Sequence, residues 1–256
     1  METIIYEVKD RIGYITLNRP QKLNSIDATM RDELFEVFTD VKLNPDVWVA
    51  IITGAGDRAF STGHDLVSHE ESRAANKTRG ADTDQLYTFI HTIWKPVIAA
   101  INGYCLAQGG GLALCSDIRI AVPEAEFGWP QVKRGISSTS GPTLLAHKIP
   151  LGIALEMLFT GRFITSEMAL KWGLINKVVP RAQLMAAAEE MAQEILANAP
   201  LAIRTIKEVA VTTQGKPLSE RVKYSALVGA GIRGSEDSKE GLRAFAEKRT
   251  PVFVGR

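Results

Sequence analysis

Two runs, Val47 to Thr53 (VWVAIIT) and Pro96 to Ile101 (PVIAAI), are short and almost wholly apolar. A strand with one wet face alternates polar and apolar residues. A run with no polar side suits a strand covered on both faces, as in parallel sheets sheathed by helices. The segments around them agree. Residues 12–18 (IGYITLN) read as a further strand, broken by Asn18-Arg19-Pro20. Asp27 is placed to cap a helix. Met30, Leu34, Val37, Phe38 and Val41 follow at spacings of three and four and give it one buried face, and Asn44-Pro45 ends it.

Residues 66–86 are polar and weakly patterned, a loop or loose helix. Leu86, Phe89, Ile90 and Ile93 predict a helix over Tyr87 to Trp94. Asn102-Gly103 turns the chain after the second apolar run, and Gly109-Gly110-Gly111 follow. A helix is expected to begin at Leu112 to Cys115, and Asp117 to Ala121 (DIRIA) reads as a strand. Strand, strand and helix recur without a fixed period, which suggests a coiled stack of βαβ-like turns. Beyond about residue 150 the chain reads as helical. Thr165 or Ser166 caps a helix that ends at Gly173, and helices follow over 182–198, 200–211, 219–228 and 238–247. The expected organisation is an α/β core over 1–195 with a helical extension over 196–256.

Composition narrows the function. Among 256 residues, 30 Lys and Arg face 29 Asp and Glu, so the charge of +1 gives no basis for binding nucleic acid or an acidic membrane surface. The longest apolar stretch, Pro96 to Ile101, is far short of the ~20 residues of a membrane span. Met1-Glu2-Thr3-Ile4 lacks the basic start and apolar core of a signal peptide. A cytoplasmic protein is expected. Cys105 and Cys115 form no CxxC or Cys/His cluster, so two reduced, buried thiols and no metal site are expected.

Gly54-Ala55-Gly56-Asp57-Arg58-Ala59 fits G-x-G-x-x-A, but no helix opens there and no acidic residue closes a βαβ unit about 20 residues on, so a plain turn is expected. Ser137, Ser138 and Ser140 lie in a Gly-bounded loop without the G-x-S-x-G elbow of hydrolases. His91 and His147 read as structural. Two glycine-bearing segments remain, Ser61-Thr62-Gly63-His64-Asp65-Leu66 and Ala107-Gln108-Gly109-Gly110-Gly111. Amides at a helix start lack intrahelical partners and favour negative charge. Two such amides, one from each segment, could hold one developing oxyanion.

These residues resemble the enoyl-CoA hydratase/isomerase (crotonase) superfamily. The resemblance rests on Arg58 to Leu66 (RAFSTGHDL), on Asn102-Gly103-Tyr104 through Gly111 to Asp117-Ile118-Arg119-Ile120-Ala121, and on Phe127-Gly128 and Thr160-Gly161-Arg162. It extends through Ala169 to Val179 and the tail from Ser235 to Phe253. It implies an α/β fold with a ββα-spiral core and a helical C-terminal region used in trimer assembly, giving a homotrimer or a dimer of trimers. It implies an acyl-CoA partner, in the setting of fatty acid metabolism, with coenzyme A as part of the substrate and no separate cofactor. The thioester oxygen would accept from the backbone N–H groups of His64 and Gln108, the latter at a place that is usually glycine. Arg58, Lys248 and Arg249 fall where basic residues meet the nucleotide of CoA. Thr62, Asp65, Gly109, Trp129 and Thr139 fall along the acyl and thioester path.

The resemblance also marks a departure. Hydratases of this superfamily carry two glutamates that activate water and deliver a proton. Their positions here are Gly111 and Gln131, and Thr139 stands where some relatives place an aspartate. Glycine has no side chain, and a glutamine amide cannot take a proton from water at pH 7. The expectation is therefore a lyase or isomerase that works through a thioester enolate, with ordinary enoyl-CoA hydration absent or slow. The alternatives are decarboxylation of a malonyl-type CoA thioester, a replacement base among His64, Glu70, Glu71 and Asp82, or an acyl-CoA-binding protein without turnover. A nicotinamide oxidoreductase is the outsider.

Overall fold

The computed structural model describes residues 1–65 and 83–256. The two apolar runs become β3 (Val49–Gly54) and β5 (Val97–Ile101), neighbours at the centre of a six-stranded sheet. Around them lie β1 (Ile4–Lys9), β2 (Ile12–Leu17), β7 (Ile118–Ala121) and β10 (Lys177–Val178), in the order β1-β2-β3-β5-β7-β10. All pairs are parallel except the β1–β2 hairpin, whose turn residues Asp10 and Arg11 both have positive φ.

A second, four-stranded sheet runs β4 (Ala59–Ser61), β6 (Tyr104–Leu106), β8 (Glu126–Gly128) and β9 (Phe163–Thr165). The chain steps from the large sheet to the small one three times, β3 to β4, β5 to β6 and β7 to β8. Helix α2 (Thr83–Ile90) precedes β5 and α3 (Ala107–Cys115) precedes β7. This is the ββα spiral.

Helix α1 (Ala28–Leu43) follows its sequence pattern. The Asp27 carboxylate accepts from the Met30 N–H at 2.9 Å, the five apolar residues of the stripe are buried, and the Asn44 N–H closes on Asp40 O at 2.8 Å. Two helices depart from expectation. Helix α2 is shifted towards the N-terminus: it ends at Ile90, and Thr92 and Ile93 close tight turns onto Phe89 and Ile90. Pro96 disfavours helix at the residue before it, so the chain leaves the helix in time to enter β5. Helix α3 begins five residues before Leu112, so the three glycines lie inside it. Glycine costs about 1 kcal/mol in a helix interior, and packing overrides it here. A Cβ at Gly109 would lie 2.6 Å from the Ser61 Cβ, and one at Gly110 would lie 2.8 Å from the Trp129 ring.

Beyond α4 (Ser140–Thr143) come α5 (Leu151–Thr160), α6 (Ser166–Lys171, capped by Thr165) and α7 (Leu184–Leu196), which lays Ala187, Ala188 and Ala192 onto β3, β5 and β7. Helices α8 (Pro200–Thr212), α9 (Leu218–Ala230) and α10 (Glu236–Glu247) project from this core, and no residue of α9 is buried. Leu227, Leu242 and Phe245 stand in the open, Phe245 at 87% exposure. Among the described residues no helix is long and apolar enough to cross a membrane. Cys105 and Cys115 are buried, unpaired thiols, and burial pushes Cys115 up to about 12.

The C-terminal tail is tied to α10 by two carboxylates. Asp237 accepts from the Val254 and Gly255 N–H groups at 2.7 and 3.0 Å, and Glu240 accepts from Val252 N–H at 3.0 Å. Hydrogen bonds from Arg249 and then Arg243 hold the Glu240 carboxyl well below the usual carboxylate range. A depressed carboxylate stabilises the fold above its unfolded value of ~4.3 and loses that contribution as pH falls through the lower folded value. The Val252 amide should therefore lose hydrogen-exchange protection on acidification below about pH 4, and Glu240→Ala should show that loss already at neutral pH.

Candidate active site

The segment after β4 is held by main-chain bonds to residues 23–27. Thr62 N–H donates to Leu23 O at 3.2 Å, Ile26 N–H to Gly63 O at 2.8 Å and Asp65 N–H to Ile26 O at 3.1 Å. Arg19 locks this crossing, its guanidinium bridging Asp27 (3.1 Å) and Asp65 (3.0 Å) and donating to Ser25 O at 2.7 Å. Asn24 donates from its side chain to Ala55 O and Ala59 O, which fixes the turn between β3 and β4. Sequence reasoning took Arg19 only as part of a break and missed both devices. The sole signal was a cluster of polar residues too large for a simple turn.

Gly63 has φ +92°, a backbone form that side chains rarely adopt. It lies against the first turn of α3: a Cβ there would sit 2.9 Å from both the Gln108 nitrogen and the Ala107 Cβ. The two glycine-bearing segments thus meet, main chain to main chain. Gln108 belongs to the helix turn whose N–H groups have no i−4 carbonyl, at the positive end of the helix. His64 is exposed beside this junction. Ala107 holds φ +53°, which costs alanine about 1–3 kcal/mol. Ala107→Gly should raise stability by about 0.5–1 kcal/mol, the strain relieved less the added freedom of the unfolded chain. A denaturant titration checks this.

Behind that turn, Trp129 Nε1–H donates to Ser140 Oγ at 2.9 Å, Ser140 donates to Ala107 O at 3.2 Å, and Tyr87 Oη donates to Gln108 O at 3.2 Å. Gly111 is not beside an open space. A Cβ there would fall on the Tyr87 phenol and within 2.6 Å of the Ser140 Cβ. Gln108 is 4% exposed, and among the described residues neither of its side-chain amide atoms has a hydrogen-bond partner, nor does Oε1 of half-buried Gln131.

The other sequence-derived residues are spread out. Trp129 is 1% exposed and packs on α3 at Gly110. Thr139 is exposed, and its carbonyl accepts from Thr143 N–H at 3.2 Å. Thr62 is half-buried and Arg58 is exposed. Lys248 is the exposed left-handed cap of α10, while Arg249 pairs with Glu240 and with Glu247 at 2.6 Å. The candidate bases Glu70, Glu71 and Asp82 lie outside the described residues. No group of three or more His, Cys, Asp and Glu that could hold a metal ion occurs among the described residues.

The family model described as Enoyl-CoA hydratase/isomerase matches residues 7–256. The chain belongs to the enoyl-CoA hydratase/isomerase family. Within it, the chain is 38% identical to (E)-benzylidenesuccinyl-CoA hydratase of Thauera aromatica, over 98% of this chain and 99% of that protein. It is 44% identical to carnitinyl-CoA dehydratase of Escherichia coli (strain K12), over 94% of each. The crystal structure of enoyl-CoA hydratase from Bacillus anthracis superposes with a TM-score of 0.92 at 32% identity, covering 99% of this chain and 100% of that one. The family's α/β fold, helical C-terminal region included, is therefore the fold of this chain.

Proposed function

We propose that this chain is an acyl-CoA-processing enzyme that holds a thioester carbonyl between the main-chain N–H groups of His64 and Gln108 and stabilises the enolate form of its substrate. The observation that carries this reading is the contact of Gly63 with the first turn of α3, which brings the two segments to one point. A thioester oxygen gains charge when the α-carbon loses a proton or a carboxylate. Preorganised N–H donors stabilise that charge, and one such donor is worth ~3–4 kcal/mol in other enzymes. The relatives' names, a hydratase and a dehydratase of CoA thioesters, support the substrate class. Thr62, Asp65 and Gly109 frame the thioester, Thr139 borders the acyl path, and Arg58 and Lys248 are the exposed cations open to the CoA phosphates.

Hydration through two carboxylates does not fit this site. Tyr87 occupies the space at Gly111, and Gln131 offers a neutral amide. That favours a second reading, decarboxylation of a malonyl-type thioester. There the C–C bond breaks, CO₂ leaves, the electron pair enters the enolate and solvent supplies the proton, so no general base is needed. The test is loss of enoyl-thioester absorbance with crotonyl-CoA at high enzyme concentration, run beside CO₂ release from a malonyl-type CoA thioester. Slow or no hydration with CO₂ release is the expected result. Hydration at ordinary hydratase rates would overturn the reading and direct the search for a base to residues 66–82. Thermal stabilisation by acyl-CoA without any turnover would identify a binding protein.

The exposed apolar residues of the 196–256 extension support assembly as a homotrimer or a dimer of trimers. Sedimentation at micromolar concentration should show no monomer, and Phe245→Glu should shift the population towards it.

A further inference from the structure

The oxyanion reading assigns the Gln108 N–H a role, and that N–H belongs to the same peptide unit as the Ala107 carbonyl. The carbonyl is gripped from behind by Ser140, whose hydroxyl donates to it at 3.2 Å. Ser140 in turn accepts from Trp129 Nε1–H at 2.9 Å. Both side chains are buried, at 3% and 1% exposure. The indole nitrogen can only donate, so it must fill a lone pair of the hydroxyl. The single hydroxyl proton is then directed onto Ala107 O, which gives the chain of bonds one polarity.

Every peptide bond described is trans, so the Gln108 N–H points away from the Ala107 C=O. Ser140 is on the carbonyl side, and Gly63 closes on the nitrogen. A hydrogen bond accepted by a peptide carbonyl draws electron density from the nitrogen and makes its N–H a better donor. Such polarisation strengthens neighbouring bonds by about 10–30% each. The same bond holds Ala107 in its left-handed conformation, which an alanine does not favour unaided. The short helix α4 does not need this hydroxyl, because Ser138 Oγ accepts from the Gly141 N–H at 3.0 Å. Nor does Gly111 need it, since the group nearest a Cβ there is the Tyr87 phenol.

We propose that Ser140, oriented by Trp129, is a positioning residue that fixes and polarises the Ala107–Gln108 peptide so that its N–H is presented to the substrate oxygen. This rests on the oxyanion reading above, and the test separates the two. Crotonyl-CoA isotope-labelled at the thioester carbonyl is bound to the full-length protein, and its C=O stretch is read by difference infrared spectroscopy. The wild type is expected to move the band to lower wavenumber. Ser140→Ala should retain binding but lose roughly a tenth to a third of that displacement. Trp129→Phe, which keeps an aromatic ring and removes the N–H, should reduce it in the same direction. Thermal melts of each variant with its ligand report whether the fold is kept, and a packing role alone would lower the melt without moving the band. An unchanged band in Ser140→Ala beside a displaced wild-type band overturns the positioning role and leaves the oxyanion reading standing. A wild-type band at its solution position overturns both. A full displacement retained in Trp129→Phe overturns the orienting role of Trp129.

Discussion

Gly63→Ala should reduce turnover of the thioester substrate by about 10²–10³-fold, the loss associated with removing one oxyanion donor. Two effects act together. At φ +92° an alanine is strained by about 1–3 kcal/mol. Its methyl would also meet the Gln108 nitrogen and the Ala107 Cβ at 2.9 Å and Leu106 O at 3.1 Å. Two of those three atoms are backbone and cannot swing aside. Helix α3 cannot retreat either, because Gly110 is already seated against the Trp129 ring and Gly111 against the Tyr87 phenol. The separation between residue 64 and the α3 turn must therefore grow. On the proposed reading such a shift lowers kcat more than it weakens CoA binding, since the proposed phosphate partners Arg58 and Lys248 are exposed side chains that take no part in the Gly63–α3 contact. Steady-state kinetics with a melting curve tests this, and wild-type kcat in a folded Gly63→Ala protein would refute it.

The second large effect concerns Gly111. Gly111→Glu restores the residue type that the family resemblance implies, yet it should destabilise the protein by about 3 kcal/mol or more rather than create a hydratase. The new Cβ falls on the Tyr87 phenol and beside the Ser140 Cβ, and both residues are buried. A carboxylate there would also be forced out of water. Tyr87→Ala makes room. The Gly111→Glu/Tyr87→Ala double variant should be more stable than the two single losses add up to, by a coupling of about 0.5–3 kcal/mol. Only with that space cleared, and with Gln131→Glu added, should crotonyl-CoA hydration rise. Equal stability of Gly111→Glu and wild type in a urea titration would show that Tyr87 does not own that space.

Much of the fold was readable in the order of residues. Wholly apolar runs marked β3 and β5, the spacing of Met30 to Val41 marked the buried face of α1, and Asp27 marked its cap. The strands of the small sheet escaped notice because three residues are too few to show a period. Edge strand β1 escaped because only Ile4 of its six residues is buried. The start of α3 was misplaced because glycine opposes helix in isolation, whereas here its lack of a side chain is what lets the helix close on Ser61 and Trp129.

At the site, motif order brought the 61–65 and 107–111 segments to attention. The resemblance also drew attention to Gly111 and Gln131, neither of which is a carboxylate. Sequence could not show what surrounds them. Tyr87 is 24 positions before Gly111 and Ser140 is 29 after it, so no local pattern joins them. Arg249 reads as a free basic residue in the tail, and only the fold reveals Glu240 and Glu247 beside it.

The contact between Gly63 and the α3 turn has a consequence for how such a site tolerates change. The proposed donors are parts of the main chain, and every amino acid except proline carries them. Exchanging the side chains at 64 and 108 leaves both N–H groups in place, so the proposed donors themselves put no demand on either side chain, and exposed His64 is the freer of the two to change. The residues that cannot drift are the ones with nothing to show, Gly63 and Gly109. An alanine scan that looks for lost side-chain function would pass over 64 and 108 and find its deepest losses at two glycines.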